Sequence, residues 1–362
     1  MCSVVTCIFS VINLRSQTMK CGSPVTPYKE SEVMRVLGSC IARRLRKGSF
    51  RVTFFFLVRQ LKFCPRLFHH SIMSSILLSD AERAYIAHGV QAGVRCDGRA
   101  HVDYRQLELE LDVVSNTNGS SRVRLGSSDV LVGVKVEMGT PKPDSPSEGY
   151  VEFFVSCSAN ATLEFDGRGG DELATMITNS LYCAFNNPSC LPRQTVCIVP
   201  GKHCWILYVD VLILEYGGNM LDTASLAVKA ALRNTRIPTV EVAKNEEGIQ
   251  EVELSDDPFD CMQLDTRNVP CFVTLNKIGK QFVVDATPEE EACCLAKLLL
   301  ALRSDGTLTA FLKEGTSSLD PESIFEMVQV GQRVGKEMHF ALDDSLTNQE
   351  NVSCKDRIGF LG

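Results

Sequence analysis

The chain has 362 residues, a mass of 39.9 kDa and a formal net charge of −7. At 44% apolar and 22% charged residues it has the composition of a globular protein of about two domains, and a wholly disordered chain is excluded. No stretch reaches the roughly 18 uncharged apolar residues of a membrane helix, and sixteen cysteines without one Cys-x-x-Cys spacing exclude a zinc knuckle.

Charge divides the chain unevenly. Residues 1–72 hold 12 Lys and Arg but only Glu30 and Glu32 as acids, while the remaining 290 residues carry 25 bases and 42 acids. So acidic a body repels nucleic acid at long range, and any RNA contact must come from a local basic patch. Residues 1–72 show no sustained period. Val52 to Val58 reads as a short strand, and Arg43-Arg44-Leu45-Arg46-Lys47 as a basic run. We take the segment as an amino-terminal extension that adds little to the fold.

From Ser79 the signals are orderly. Ser79-Asp80-Ala81-Glu82 has capping-box form and predicts a helix to about Gly93. Arg95-Cys96-Asp97-Gly98-Arg99 is a charged turn. Leu107, Leu109, Leu111 and Val113 alternate with polar residues as in a half-buried strand, followed by strands at Arg122–Leu125, Val130–Met138 and Val151–Cys157. Asp171 precedes a helix whose inner face is Leu173, Met176, Ile177, Ser180, Leu181 and Ala184. Val196–Val199 and His203–Glu215 read as strands around Pro200-Gly201-Lys202; the second is apolar on both faces and belongs in the middle of a sheet.

Gly217-Gly218 breaks that strand, and an Ala-rich helix follows from Leu221 to Leu232. Thr239–Ala243 is a strand, and an acidic loop from Asn245 to Asp257 marks a boundary. Phe272–Leu275 and Gln281–Val284 form a hairpin. Thr287-Pro288-Glu289-Glu290 is a second capping box, with Pro at the first helical position, whose helix is expected to reach Leu302. A strand at Thr307–Leu312 and a long helix from Asp320-Pro321 complete the chain. The fold class is α+β: two small sheets, each covered by helices. The expected division is 1–72 extension, 73–255 first domain with its leading helix, and 256–362 second domain.

Catalytic patterns are scarce. There is no Gly-x-x-x-x-Gly-Lys-[Ser/Thr] and no Gly-x-Ser-x-Gly. Gly167-Arg168-Gly169-Gly170 opens a helix and reads more readily as a turn than as a phosphate cradle. The six histidines are scattered, only the His69-His70 pair being adjacent, and Asp256, Asp257 and Asp260 read as a solvated acidic loop, so no metal site is assigned. Cys183, Cys190, Cys197 and Cys204 recur every seven residues, but Pro188, Pro192 and Pro200 rule out one helix; free thiols in a reducing compartment are the reading.

The Arg95-x-Asp97-Gly98-Arg99 turn and its strands, then Leu212-Ile213-Leu214-Glu215-Tyr216-Gly217-Gly218-Asn219 and the Ala-rich helix ending in Ile237-Pro238, resemble the ribonuclease PH family over about Met73 to Gly362. The resemblance is to the non-catalytic ring subunits of the RNA exosome. It implies an RNase PH-like fold and a place in a hexameric ring with other RNase-PH-like subunits and RNA-binding cap subunits, around a channel for single-stranded RNA. It further implies nuclear, nucleolar and cytoplasmic location, and neither membrane nor cofactor. Active members hold phosphate on a Gly-Thr-Arg loop after the double glycine. Here that loop reads Gly218-Asn219-Met220-Leu221-Asp222, with no arginine and with an aspartate expected to repel phosphate; Tyr216 stands where active members carry Asp. No catalytic residue is assigned. Asp265 is the one acid left to an active phosphorolytic 3′-to-5′ exoribonuclease, the alternative reading; a scaffold that touches no RNA is a third. The bases left to line an RNA path are Arg95, Arg99, Arg122, Arg124, Arg168 and Lys202, each equally available for ion pairs with the acids of the body.

Overall fold

A computed structural model describes residues 78–356 apart from 163–164, 166–168, 186, 188, 245–249, 255–256 and 258–259. The readings made for Arg43 to Lys47, Val52 to Val58 and His69-His70 therefore lie outside the described residues, as do Arg168 and Asp256.

The first helix, α1 (Asp80–Gln91), begins where the capping box places it. The Ser79 hydroxyl accepts from the Glu82 amide, and the Glu82 carboxylate accepts from the Ser79 amide at 2.8 Å. Val90 on its inner face packs against Ile278, Val283 and Ala286. Sheet I follows: β1 (Leu107–Leu111), β2 (Gly119–Leu125), β3 (Ser128–Gly139), β4 (Tyr150–Cys157), β5 (Cys197–Val199) and β6 (His203–Glu215), in the order β1-β2-β3-β6-β4 with β5 also on β6. β6 is central, as its two apolar faces require: antiparallel to β3 and β5, parallel to β4. Helix α2 (Asp171–Phe185) covers β4 through Leu173, Ile177 and Leu181. Phe153 meets Tyr182 and Phe185 there edge-on, with ring centroids 5.3 and 5.0 Å apart.

Helix α3 (Met220–Asn234) is buried at every position from Met220 to Leu232. Its small side chains (Ala224, Ala227, Ala230, Ala231) allow close packing on both flanks, against β2 and β3 on one side and β11 on the other. Two short pairs link the halves: β7 (Arg236–Pro238) with β10 (Cys261–Gln263), and β8 (Val240–Lys244) with β9 (Gln250–Leu254). The stretch expected as an acidic loop thus contains a strand.

Sheet II has the order β12-β11-β13-β14: β11 (Cys271–Ile278), β12 (Gln281–Val284), β13 (Ala296–Leu302) and β14 (Leu308–Glu314). Here the sequence reading needs correction. The Thr287 capping box forms, but its helix α4 (Pro288–Ala292) is a single turn, and Ala296-Lys-Leu-Leu-Leu-Ala-Leu302 is a strand. That segment lies between β11 and β14, where both faces are buried, and a short apolar run has no period to tell strand from helix. The final helix α5 (Pro321–Asp356) brings Gly331 and Gly335 against Leu300 and Leu302, close enough that a Cβ at either glycine would strike those leucines.

Between α3 and α5 lies a buried polar contact. Lys229 Nζ sits 2.8 Å from His339 Nδ1, and His339 Nε2 lies 2.8 Å from the Leu302 carbonyl. A carbonyl only accepts, so Nε2 carries the proton and Nδ1 accepts from the lysine. Burial and the Lys229 charge push the His339 pKa down to about 4, and the ring stays neutral.

Candidate functional site

The double glycine after β6, the Asp97-Gly98-Arg99 turn and the start of α4 line a cleft of about 500 Å³, with Arg99, Arg105, Tyr216 and Glu289 on its walls. Gly218 has φ +79°, a conformation that favours glycine, and a Cβ there would lie 2.7 Å from the Ala286 carbonyl oxygen. The loop therefore lies directly on the segment joining β12 to α4, and the cleft floor comes from residues far apart in sequence.

Asp285 organises that floor. Its carboxylate accepts from Arg105 Nε and Nη2 (2.9 and 2.8 Å), the Arg105 amide (2.8 Å), Arg99 Nη1 (2.9 Å) and Asn219 Nδ2 (2.8 Å). Burial alone would raise its pKa; the bonds and charge from Arg105, with the Asn219 bond, reverse that and hold the carboxyl below its ordinary range. The other Arg105 donors go to the carbonyls of Gly217 and Gly218. Both cleft arginines are thus largely engaged by protein acceptors.

The start of α3 carries an internal carboxylate. Glu291 Oε1 accepts from the Asn219 amide at 3.2 Å and lies 3.1 Å from Lys297 Nζ, while Oε2 accepts from the Tyr216 hydroxyl at 3.1 Å. Burial would lower the Lys297 pKa, but the Glu291 charge more than offsets it and the pKa is raised. An acidic side chain fills a position at a helix N-terminus that suits an anion. The signal in the sequence was the run Glu289-Glu290-Glu291, which only long-range pairing turns toward α3.

Asp222, expected to repel phosphate from the loop, does not reach it. The side chain is 0% exposed and turned inward, accepting from the Tyr104 hydroxyl (2.8 Å), Asn219 Nδ2 (3.0 Å), the Thr274 amide (2.9 Å) and the Thr274 hydroxyl (2.6 Å). Burial pushes its carboxyl up to about 7 against those four bonds. Asp265 is paired with Arg267 at 2.7 Å and held down at about 2, so it stays ionised and has no proton to give as a general acid near neutrality.

The basic residues separate into distinct environments. Arg95 needs correction as an RNA-path residue. Its side chain is 0% exposed, paired twice with Glu290 (2.9 and 2.6 Å) and bonded to the Val284 and Asp285 carbonyls, so it has no donor left at the surface. Arg99 reaches the cleft edge, 14% exposed, held by Asp97 and Asp285. Arg122 and Arg124 project from β2 and share the Asp129 carboxylate (2.6 and 3.1 Å), with Glu110 and Glu108 behind them. Burial works against ionised Asp129, but the two arginines win and lower its pKa. Lys202 is exposed on the turn between β5 and β6. Among the described residues no cluster of His, Cys, Asp and Glu is arranged to hold a metal ion.

The comparisons agree with this architecture. Residues 103–238 match the model of the 3′ exoribonuclease family, domain 1, and residues 268–334 that of domain 2. A Dictyostelium discoideum protein named putative exosome complex exonuclease RRP42 is 32% identical over 321 residues, covering 76% of this chain and 99% of that protein. The exosome complex component Rrp42 of Methanosarcina acetivorans is 31% identical over 276 residues, covering 76% and 98%. Among solved structures, a chain of the Archaeoglobus fulgidus exosome with RNA bound to the active site matches with a TM-score of 0.62 and 27% identity, over 72% of this chain and 98% of that one. An archaeal exosome core chain matches equally, with a TM-score of 0.62 and 26% identity over 73% and 97%. With both halves matched in order, and with full-length relatives above 30% identity, the chain belongs to the 3′ exoribonuclease family.

Proposed function

We propose that this chain is a non-catalytic ring subunit of the RNA exosome core, supporting 3′-to-5′ RNA processing without itself cleaving RNA. The observation that carries the reading is Glu291. Phosphorolysis requires an inorganic phosphate held on placed positive charge. Here the Asn219 amide and Lys297, beside the double-glycine loop, are occupied by the protein's own carboxylate, and Met220 or a neighbour stands where the family resemblance would place the loop arginine. Tyr216 spends its hydroxyl on the same carboxylate.

Its partners in this reading are ring subunits of the same fold, RNA-binding cap subunits, and single-stranded RNA met through the assembled ring in nucleus, nucleolus and cytoplasm. An acidic body disfavours self-association and favours less acidic neighbours. The bases offered to RNA are Arg99, Arg122, Arg124, Arg168 and Lys202. Residues 1–72 form an extension, followed by domains at 73–255 and 256–362.

The test is a phosphorolysis assay on the full chain with a 3′-tailed RNA and inorganic phosphate. No nucleoside diphosphate should appear. Release that is abolished by Asp265→Asn would establish the active enzyme instead. Crosslinking to RNA in the assembled ring, lost in the Arg122→Glu/Arg124→Glu variant, separates a channel-lining subunit from a scaffold that touches no RNA.

A further inference from the structure

Two of the regularly spaced cysteines are brought face to face. Cys197 of β5 stands opposite Cys204 of the adjoining, antiparallel β6. The Trp205 amide donates to the Val196 carbonyl at 2.8 Å. This bond joins the residue after Cys204 to the residue before Cys197, the pattern of a non-hydrogen-bonded antiparallel pair on that side, while the register shifts on the other side, between Cys197 and Val199. In such pairs the Cα atoms lie about 4.5 Å apart and the side chains approach most closely. A disulfide spans Cα separations of about 4.4–6.8 Å, so the bond can form without moving either strand far. Both sulfurs are free thiols; Cys204 is fully buried and Cys197 half-buried. The other two members of the series are placed elsewhere: Cys183 lies in α2, and Cys190 points its thiol at the Ala184 carbonyl.

We infer that Cys197 and Cys204 form a reversible cross-strand disulfide, making the β5–β6 corner a redox-responsive staple. The more accessible Cys197 reacts first. A peroxide transfers oxygen to its thiolate, the O–O bond breaks and the sulfur becomes a sulfenic acid while the peroxide is reduced. The Cys204 sulfur then attacks that sulfur; the S–S bond forms, the S–O bond breaks, and the departing hydroxide takes the Cys204 proton as water. Burial, and secondarily the nearness of Cys197, raise the Cys204 pKa, so that Cys204 is the less ready of the two to meet the oxidant first. Two equivalents of a thiol such as glutathione return both cysteines to the reduced state. The bond would fix β5 and the Pro200-Gly201-Lys202 turn onto β6. It would also brace the start of β4, because Gly149 packs against Val196 and the Trp205 carbonyl.

The reporter is built in: Trp205, beside Cys204, is the only tryptophan of the chain. The full-length protein is titrated with hydrogen peroxide while Trp205 fluorescence is followed. It is then unfolded, alkylated and digested without reductant. The expected result is a Cys197–Cys204 linked peptide, lighter by two hydrogens than the two thiol peptides together. The two cysteines should escape alkylation in one-to-one proportion, with quenching of Trp205 reversed by glutathione. Cys197→Ser should leave Cys204 fully alkylatable and the fluorescence unchanged. Cys197 driven to sulfinic acid with Cys204 still alkylatable, or Cys197 linked to another cysteine, overturns the inference. Peptide mapping of the unmodified chain decides the matter even where the variant fails to fold.

Discussion

Arg95 and Glu290 meet as a two-bonded ion pair with side chains 0% and 2% exposed, joining positions 195 residues apart. The charged turn after α1 is therefore a fastener: its first arginine reaches past α4 to hold the carbonyls of Val284 and Asp285. Breaking one side of a buried pair leaves an uncompensated charge and costs about 3–5 kcal/mol. Arg95→Met should lower stability by about that amount in urea denaturation, and Arg95→Met with Glu290→Leu by clearly less. A single variant as stable as the parent would refute the fastener.

Glu291 offers a direct test of occupied charge. Glu291→Ala leaves the Asn219 amide and Lys297 without their acceptor. Inorganic phosphate at several times Kd should then stabilise the variant by about 1 kcal/mol, read as a raised melting temperature, and leave the parent unchanged. Equal responses to phosphate in both proteins would mean that the anion binds elsewhere.

Two buried groups tilt the pH dependence in opposite directions. The folded His339 pKa, about 4, lies below its ordinary 6.5, so the unfolded chain binds the extra proton between those values. Its contribution is complete above pH 6.5 and is lost as pH falls through 4. Asp222, at about 7 against an ordinary 3.8, behaves inversely: its contribution is present below 3.8 and is lost as pH rises through 7. His339→Gln should leave the Asp222 slope exposed, so that stability between pH 4 and 6.5 falls with rising pH more steeply than in the parent. Chemical denaturation at several pH values reads this, and a shallower fall in the variant would contradict it.

Gly218→Ala carries two penalties. The left-handed backbone costs a residue with a Cβ about 1–2 kcal/mol, and the added methyl meets the Ala286 carbonyl oxygen, which cannot rotate aside as a side chain would. The variant should melt well below the parent, and its Tyr216 environment should change. Gly201→Ala, at a similar φ of +79° but with open space around it, should show only the smaller penalty.

Local chemistry made much of this legible. Both capping boxes, the limits of β6 and the buried Ala-rich helix follow from patterns within a dozen residues. What the sequence hides is set at long range. Ala296 to Leu302 reads equally as helix or strand until β11 and β14 flank it. Arg95 looks like a base for RNA until Glu290 closes over it. Asp222 seems to face the loop, yet the first turn of α3 points it at Thr274 of the next sheet. Glu291 was invisible as a ligand of α3, because its partners Asn219 and Tyr216 lie more than 70 residues upstream.

Helix α3, clasped between two sheets, sets an order on synthesis. When Asn234 has left the ribosome, the side of α3 facing sheet I can already be covered, but the strand that covers the opposite side, β11, begins only at Cys271. Until then the side of α3 that meets β11 has no complete shelter, and the nascent chain exposes part of a helix that is buried in the finished fold. A stop or long pause within that interval leaves a fragment suited to capture by chaperones, so an amino-terminal half made alone should accumulate poorly in cells.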